Sequence, residues 1–364
     1  MPGPSGSMPR VPWSGRCADP RRQTAAKASL AGSRAPESGS SLLSLTYVGH
    51  VVLCGQRRSY LLSRNCDAVM PAMPQREDSV VAGAVEPSAL LSLPEGRVRA
   101  GVVLLHPADD GSRRQFLFEH LAQILPAHGV AVVRYDRRRM DDGRDVPYQL
   151  QVDDLNQARE TLVRATGPVP VGLWGFSQGA WVALLSAATD PAVAFLVLVG
   201  CSAVSPALQM RYGTAVQLRS AGFGEVDLAE LDQLRSAWEQ HQRGQLSRDQ
   251  AQLLVDRYRS RPWFSLGCVP AILPGNKIWD DMDFDPALVI SRLASPVLAF
   301  YGHDEWIPVK DSINLWRRYF PDAAGLDIRE LAGTTHYPTL GGGRDIASIS
   351  PDYTATLIRW LERF

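Results

Sequence analysis

A chain of 364 residues, 45% of them hydrophobic, has enough apolar side chains for one large domain with an insertion or for two smaller domains. Its 38 basic and 38 acidic residues cancel, so no overall charge draws the protein to nucleic acid or to an anionic membrane. We therefore expect a small, weakly charged molecule as the partner. The composition leaves the oligomeric state open.

The cysteines and the hydropathy bear on the cellular setting. No stretch approaches the roughly 20 consecutive apolar residues of a membrane-spanning helix, so we predict no membrane span. The spacing of the cysteines fits neither a zinc site nor a dense disulfide framework, which predicts a reducing, cytoplasmic setting. The five are Cys17, Cys54, Cys66, Cys201 and Cys268.

Residues 1–72 differ in composition from the rest of the chain. They are rich in Ser, Arg, Pro, Gly and Ala and show no sustained period of 2 or 3.6. We predict a disordered tail or a non-native N-terminal extension, with Met70 or Met73 as the natural start. Basic residues with few acids also allow a targeting peptide, but no apolar segment follows them.

From Ser79 onward, short apolar runs alternate with helical patterns, as is typical of a mostly parallel sheet flanked by helices. Several runs are apolar throughout, which indicates strands covered on both faces. The fold class is therefore α/β. The predicted strands are 80–84, 98–105, 130–135, 169–174, 194–199, 296–301 and 326–331.

Apolar stripes predict crossover helices at 116–125 and 152–163. A last helix is expected to begin with Ser350 as N-cap and Pro351 at its first position. Between about residues 202 and 295 the alternation of strand and helix patterns is interrupted, and two helical patterns occur instead. One runs through Leu228 to Trp238, and the other spans 247–258, where Ser247 and Gln250 have capping-box spacing.

These patterns divide the chain into four parts. Residues 1–72 form the tail, 73–201 the first part of the sheet domain, 202–295 a helical cap insertion, and 296–364 the second part of the sheet domain. A helical insertion between two strands of such a sheet is expected to cover the site.

The strongest chemical signal is the sequence Gly175-Phe176-Ser177-Gln178-Gly179, which lies between an apolar strand and a helical run. A Gly-x-Ser-x-Gly turn in this context predicts a nucleophile elbow, in which a strained turn exposes the serine. Small residues two positions before and after let strand and helix approach. We predict Ser177 as a nucleophile, with the Gln178 N–H as the first oxyanion donor at the helix start.

A serine nucleophile needs a base, and the base needs an orienting carboxylate, so an acid and then a histidine are expected further along. Asp304 follows the strand at 296–301, where loop residues converge on the site. Glu305 competes for this role. His336 lies in the loop before the last helix and is the predicted base.

The second oxyanion donor is expected from the loop at residues 106–113, which follows the first central strand. Pro107 has no backbone N–H to donate. We therefore assign the donor to the Ala108 N–H.

Together these residues resemble the α/β-hydrolase superfamily, and within it the bacterial esterase and serine-aminopeptidase-like branch. The resemblance runs from about Ser79 to Phe364. It rests on the loop with His106 and Arg113, on residues 135–138, on the elbow, on residues 296–308, on His336 and on residues 349–351. The family usually has glycine where this chain has Pro107 and Arg139, which points to a specialised substrate.

The predicted function is cleavage of a carboxylic ester, or a related acyl bond, through an acyl-enzyme on Ser177. An amidase or peptidase, a thioesterase-like cyclase or acyltransferase, and a non-catalytic binding protein on the same scaffold remain alternatives. We expect no metal and no cofactor.

Two further sets of residues have alternative interpretations. Trp263 and Phe264 either line the acyl pocket or pack the core of the cap. The run Arg137, Arg138 and Arg139 either binds an anionic group or forms a solvated surface, and the surface is favoured.

Overall fold

The computed structural model describes residues 80–81, 88–140 and 144–364. The predictions for residues 1–72 lie outside these ranges. Within them, no helix has the length and apolar character needed to cross a membrane.

An eight-stranded sheet forms the centre of the described part, in the order β1-β2-β4-β3-β5-β6-β7-β8. The strands from β3 to β8 pair in parallel, whereas β2 runs antiparallel to both β1 and β4. The mostly parallel α/β sheet is confirmed. The strands are β1 (Val80–Val81), β2 (Ser88–Ser92), β3 (Ala100–Leu105), β4 (Val130–Tyr135), β5 (Val171–Phe176), β6 (Val193–Val199), β7 (Val297–Tyr301) and β8 (Leu326–Glu330).

Within the described residues, three strands differ from the sequence prediction by more than one residue. Strand β3 begins at Ala100, two residues later than expected. The sequence patterns did not predict β2, and β5 lies two residues later than expected. Parallel pairing explains the shift, because Gly175 pairs with β3 and Phe176 pairs with Val199 of β6. The last residue of β5 is therefore Phe176, immediately before Ser177.

Helices cover both faces of the sheet. On one face an apolar cluster includes side chains of α2, α3 and α8, and on the other a second cluster includes side chains of α1 and α9. The fully apolar strands are buried between them, as predicted. These helices are α1 (Phe116–Ile124), α2 (Tyr148–Thr166), α3 (Gln178–Thr189), α8 (Val309–Tyr319) and α9 (Pro351–Leu361).

The segment between β6 and β7 is helical and has an apolar cluster of its own. Ser247 and Gln250 form the expected capping box at the start of α6. The role of this segment as a cap stays a prediction. Its helices are α4 (Pro206–Ser220), α5 (Glu225–Gln242), α6 (Arg248–Tyr258) and the short α7 (Pro286–Ile290).

Candidate active site

Ser177 lies in a sharp turn between β5 and α3. Its backbone is left-handed, with φ 54° and ψ −116°, a conformation that costs a non-glycine residue free energy and is concentrated at functional sites. Its N–H donates to the Val199 carbonyl at 2.9 Å, and its own carbonyl accepts from Ala180 at 3.0 Å. The side chain of Ser177 is half-buried.

Two glycines allow this turn to form. A Cβ at Gly175 would lie 2.5 Å from the Gly179 carbonyl oxygen, and a Cβ at Gly179 would overlap the Leu105 and His106 carbonyls. Both positions therefore require glycine. Gly179 also brings the start of α3 against the end of β3, where the loop predicted to carry the second oxyanion donor begins.

Asp304 and His336 form a hydrogen-bonded pair at the ends of β7 and β8. His336 Nδ1 lies 2.6 Å from Asp304 Oδ2. The other carboxylate oxygen of Asp304 accepts the backbone N–H groups of Trp306 at 2.7 Å and Ile307 at 3.1 Å. The carboxylate is buried, and its two oxygens serve different partners, so its orientation is fixed.

His336 lies beside the elbow. Its ring centroid is 5.1 Å from that of Phe176, and a Cβ at Gly200, which follows β6, would lie 3.1 Å from its Cε1. Burial favours the neutral imidazole, but the Asp304 charge and hydrogen bond, with a contribution from Asp109, outweigh it and raise the pKa of His336. The pair therefore stabilises a proton on this imidazole.

Residues 106–113, which we call the oxyanion loop, are held by Arg137. The guanidinium donates to the carbonyls of Pro107 at 2.7 Å and Ala108 at 2.9 Å, and to Gln178 Oε1 at 3.0 Å. Its backbone N–H also donates to the Gly111 carbonyl at 2.8 Å. Arg137 thus joins the loop that carries one predicted oxyanion donor to the residue that carries the other.

The solvated-surface interpretation of the arginine run is wrong for two of its three members. Arg137 binds the loop, and Arg138 forms a bidentate pair with the buried carboxylate of Asp154. Arg139 is exposed. The signal for this role in the sequence is the position of Arg137, which our prediction did not use. Arg137 follows β4 at the carboxyl edge of the sheet, where functional loops converge.

Burial makes His106 a much weaker base than His336. Its ring is buried against Phe118 and Tyr135, at centroid distances of 4.9 and 5.2 Å. Burial, and then the charge of Arg137, lower the pKa of His106 to about 3. Its imidazole is therefore neutral at physiological pH.

Helix α4 contacts residues 302–308, the loop that carries the predicted acid, which we call the acid loop. A Cβ at Gly213 of α4 would overlap the Trp306 indole, so helix and ring are in close contact. Gln217 donates to Glu305 Oε2 at 3.2 Å. Glu305, the competitor for the catalytic acid, is exposed and turned toward this helix, whereas Asp304 binds His336.

Trp263 and Phe264 lie in the apolar cluster of the inserted segment. Trp263 is fully buried there, with its ring 6.1 Å from that of Tyr258, and Phe264 packs against the same cluster. This location supports core packing over contact with a substrate.

Comparison with known proteins identifies the family. The model of the alpha/beta hydrolase family matches residues 102–348, a range that includes the elbow, the acid loop and His336. The chain belongs to the alpha/beta hydrolase family. The resemblance to the α/β-hydrolase superfamily inferred from the sequence is thereby confirmed.

The sequence matches between this chain and individual proteins cover only part of the chain. Proteins from two strains of Mycobacterium tuberculosis, each named putative phosphoribosyl transferase, are 31% identical over 135 residues. That match covers 35% of this chain, and the chain spans only 29% of those proteins.

Two solved structures resemble this chain over nearly their whole length. A proline iminopeptidase from Mycobacterium smegmatis has 15% identity, a TM-score of 0.50, and coverage of 79% of this chain and 98% of its own. VinJ has 17% identity, a TM-score of 0.50, and coverage of 80% and 99%. At this identity the likeness shows the fold alone.

Proposed function

We propose that this protein is a serine hydrolase that cleaves a carboxylic ester, or a closely related acyl bond, through an acyl-enzyme on Ser177. The observation that carries the proposal is the strained backbone of Ser177 at the start of α3, beside an imidazole whose Nδ1 is 2.6 Å from the buried Asp304 carboxylate. Acyl transfer to serine requires a strained serine, an oriented base and a buried acid.

In the first step His336 acts as general base. Its Nε2 takes the hydroxyl proton of Ser177 while Oγ attacks the acyl carbon, and Asp304 stabilises the imidazolium. The hydrogen bond from Nδ1 to Asp304 leaves Nε2 as the nitrogen that accepts this proton.

The oxyanion of the tetrahedral intermediate is assigned to the backbone N–H groups of Gln178 and Ala108. Gln178 is the first residue of α3, where N–H groups lack partners within the helix and the helix dipole favours negative charge. The Arg137 bonds to the Pro107 and Ala108 carbonyls support a fixed orientation of the neighbouring peptide planes.

The intermediate then collapses, the bond to the leaving oxygen breaks, and His336 returns its proton to that oxygen. Water repeats the sequence on the acyl-enzyme, giving its proton to His336 and its oxygen to the acid product. Ser177 recovers its proton from His336 at the end.

Hydrolysis of a chain-length series of p-nitrophenyl esters tests this proposal. Replacing Ser177 by Ala is expected to lower kcat by at least about 10⁴-fold, since the nucleophile is lost. The control is Ser260→Ala, an exposed serine in a turn, which should retain the wild-type rate. A fluorophosphonate should label the wild type and the control at Ser177 and leave Ser177→Ala unlabelled.

Unchanged turnover in Ser177→Ala would refute the proposal. Absence of both turnover and labelling in the wild type would favour the non-catalytic binding protein. Methanol added as a competing acceptor separates hydrolysis from acyl transfer, because free acid as the main product supports hydrolysis and methyl ester as the main product supports transfer. The small acyl substrate and the cytoplasmic setting stay predictions.

A further inference from the structure

Two residues adjacent to the proposed catalytic groups are joined across the site. Asp109 follows Ala108 in the oxyanion loop, and Tyr337 follows His336 after β8. The Tyr337 hydroxyl donates to Asp109 Oδ2 at 3.0 Å, although 228 residues separate the two in sequence. The mechanism proposed above assigns no role to either side chain.

Packing fixes the Tyr337 ring from more than one side. Its centroid is 4.7 Å from that of Phe176, which precedes the nucleophile, and 5.8 Å from that of Phe116 in α1. Arg344 lies 4.6 Å over the same ring, and its Nη1 is 3.5 Å from Asp109 Oδ2. Asp109, Tyr337 and Arg344 form a cluster that we call the latch.

We propose that Asp109 and Tyr337 are positioning residues: their hydrogen bond holds the Ala108 peptide beside His336, and the Asp109 carboxylate is a second negative charge that stabilises the protonated imidazole. The inference rests on the proposed function in assigning the proton transfer to His336. It goes further by giving the oxyanion loop and the base a shared support.

The charged groups around His336 support the electrostatic part of this inference. Burial acts to lower the pKa of His336, whereas the charge and hydrogen bond of Asp304 raise it. Asp109 also raises it, and Arg344 lowers it. Because Asp109 and Arg344 carry opposite charges, removal of one or the other is expected to shift the pKa of His336 in opposite directions.

Four variants separate the charge from the hydrogen bond. Asp109→Asn removes the charge and keeps an acceptor for Tyr337, whereas Tyr337→Phe keeps the charge and removes the donor. Arg344→Gln removes the positive charge. Asp110→Asn is the matched control, because this neighbouring acid binds the Ser112 N–H within its own loop.

The first measurement is an NMR titration of the His336 imidazole, assigned by the loss of its signal in His336→Gln. We expect Asp109→Asn to lower the pKa of His336, Arg344→Gln to raise it, and Asp110→Asn to leave it at the wild-type value. Tyr337→Phe should shift it less than Asp109→Asn does.

The second measurement is the pH dependence of kcat for p-nitrophenyl ester hydrolysis. The base must be neutral to act, so Asp109→Asn should keep activity to lower pH and Arg344→Gln should lose it at higher pH than the wild type. Tyr337→Phe should lower kcat by about 3- to 10-fold and move the acid limb less than Asp109→Asn does, as expected for loss of one positioning hydrogen bond.

Identical titration of His336 in the wild type, Asp109→Asn and Arg344→Gln would overturn the charge role. Wild-type kcat in Tyr337→Phe would overturn the positioning role. If Asp109→Asn does not fold, Asp109→Ser, which also removes the carboxylate charge, decides the charge role by the same titration. The NMR titration needs no turnover. A failure of the proposed ester hydrolysis, which Ser177→Ala detects, is therefore distinguishable from a failure of the role proposed for the latch.

Discussion

In the proposed mechanism the site has an acid side and an oxyanion side, and the two are held in different ways. On the acid side, Asp304 accepts two N–H groups from its own turn, and its other oxygen binds His336. On the oxyanion side, Ala108 and Asp109 are exposed, and the partners that hold them are Arg137 and Tyr337, which lie far away in the chain. The acid side is stabilised by hydrogen bonds from its own turn, and the oxyanion side by side chains that are distant in sequence.

This difference determines how each side responds to substitution. A buried acid with self-contained hydrogen bonds keeps its geometry when distant residues change, but its own replacement removes an essential interaction. An exposed loop held by remote donors depends on residues that touch no substrate. The oxyanion side should therefore be sensitive to substitutions in other loops.

The largest effect is expected on the acid side. Asp304→Asn keeps the shape of the side chain but removes the charge that stabilises the imidazolium and selects the tautomer of His336. We expect kcat for ester hydrolysis to fall by about 10³- to 10⁴-fold. Steady-state kinetics against p-nitrophenyl esters measure this loss.

Glu305→Gln is the control for this prediction, because Glu305 is the adjacent carboxylate and binds Gln217 instead of the imidazole. Its kcat should stay within about 3-fold of the wild type, the range expected of an exposed side-chain contact. A larger loss in Glu305→Gln than in Asp304→Asn would mean that the acid is Glu305.

A smaller loss is expected when the long-range support of the oxyanion side is weakened. Arg137→Lys keeps the positive charge, but a single ammonium lacks the planar fork that reaches the carbonyls of both Pro107 and Ala108. We expect kcat to fall by about 10- to 100-fold, less than the cost of removing an oxyanion donor outright. The KM for the ester should change little.

Arg139→Lys, at an exposed position of the same run, should retain wild-type kinetics. If Arg137→Lys also retained the wild-type kcat, the oxyanion loop would be held by its own backbone, and the contrast between the two sides of the site would be lost.

The same contrast explains what the sequence could predict. Apolar runs covered on both faces indicated the parallel strands, and the Gly-x-Ser-x-Gly turn indicated the elbow because its requirements are all local. The pairing of Asp304 with His336 was also predictable, since both follow neighbouring strands at one edge of the sheet. The structure brings these two side chains into contact.

The remaining features depend on contacts between distant segments. Strand β2, with the sequence Ser-Ala-Leu-Leu-Ser, has no β-branched or aromatic residue and too few apolar ones for its period to be distinguished from that of a helix. The role of Arg137 follows from the pairing of β3 with β4, and the contact of Asp109 with Tyr337 joins residues that are 228 positions apart in the chain. No local pattern in the chain encodes either contact.

The smallest effect is expected where the inserted helix α4 supports the acid side. Gly213→Ala places a methyl group against the Trp306 indole, and the backbone N–H of Trp306 donates to Asp304 Oδ1. Displacement of Trp306 should lower kcat by about 3- to 10-fold, less than the cost of losing a hydrogen bond to a charged group outright. Gly275→Ala is the control, because a Cβ there meets no atom within 4 Å. Alanine also favours helix over glycine by about 1 kcal/mol, so a raised Tm with an unchanged kcat would show that α4 adapts to the methyl group and that the acid is held by its own loop alone.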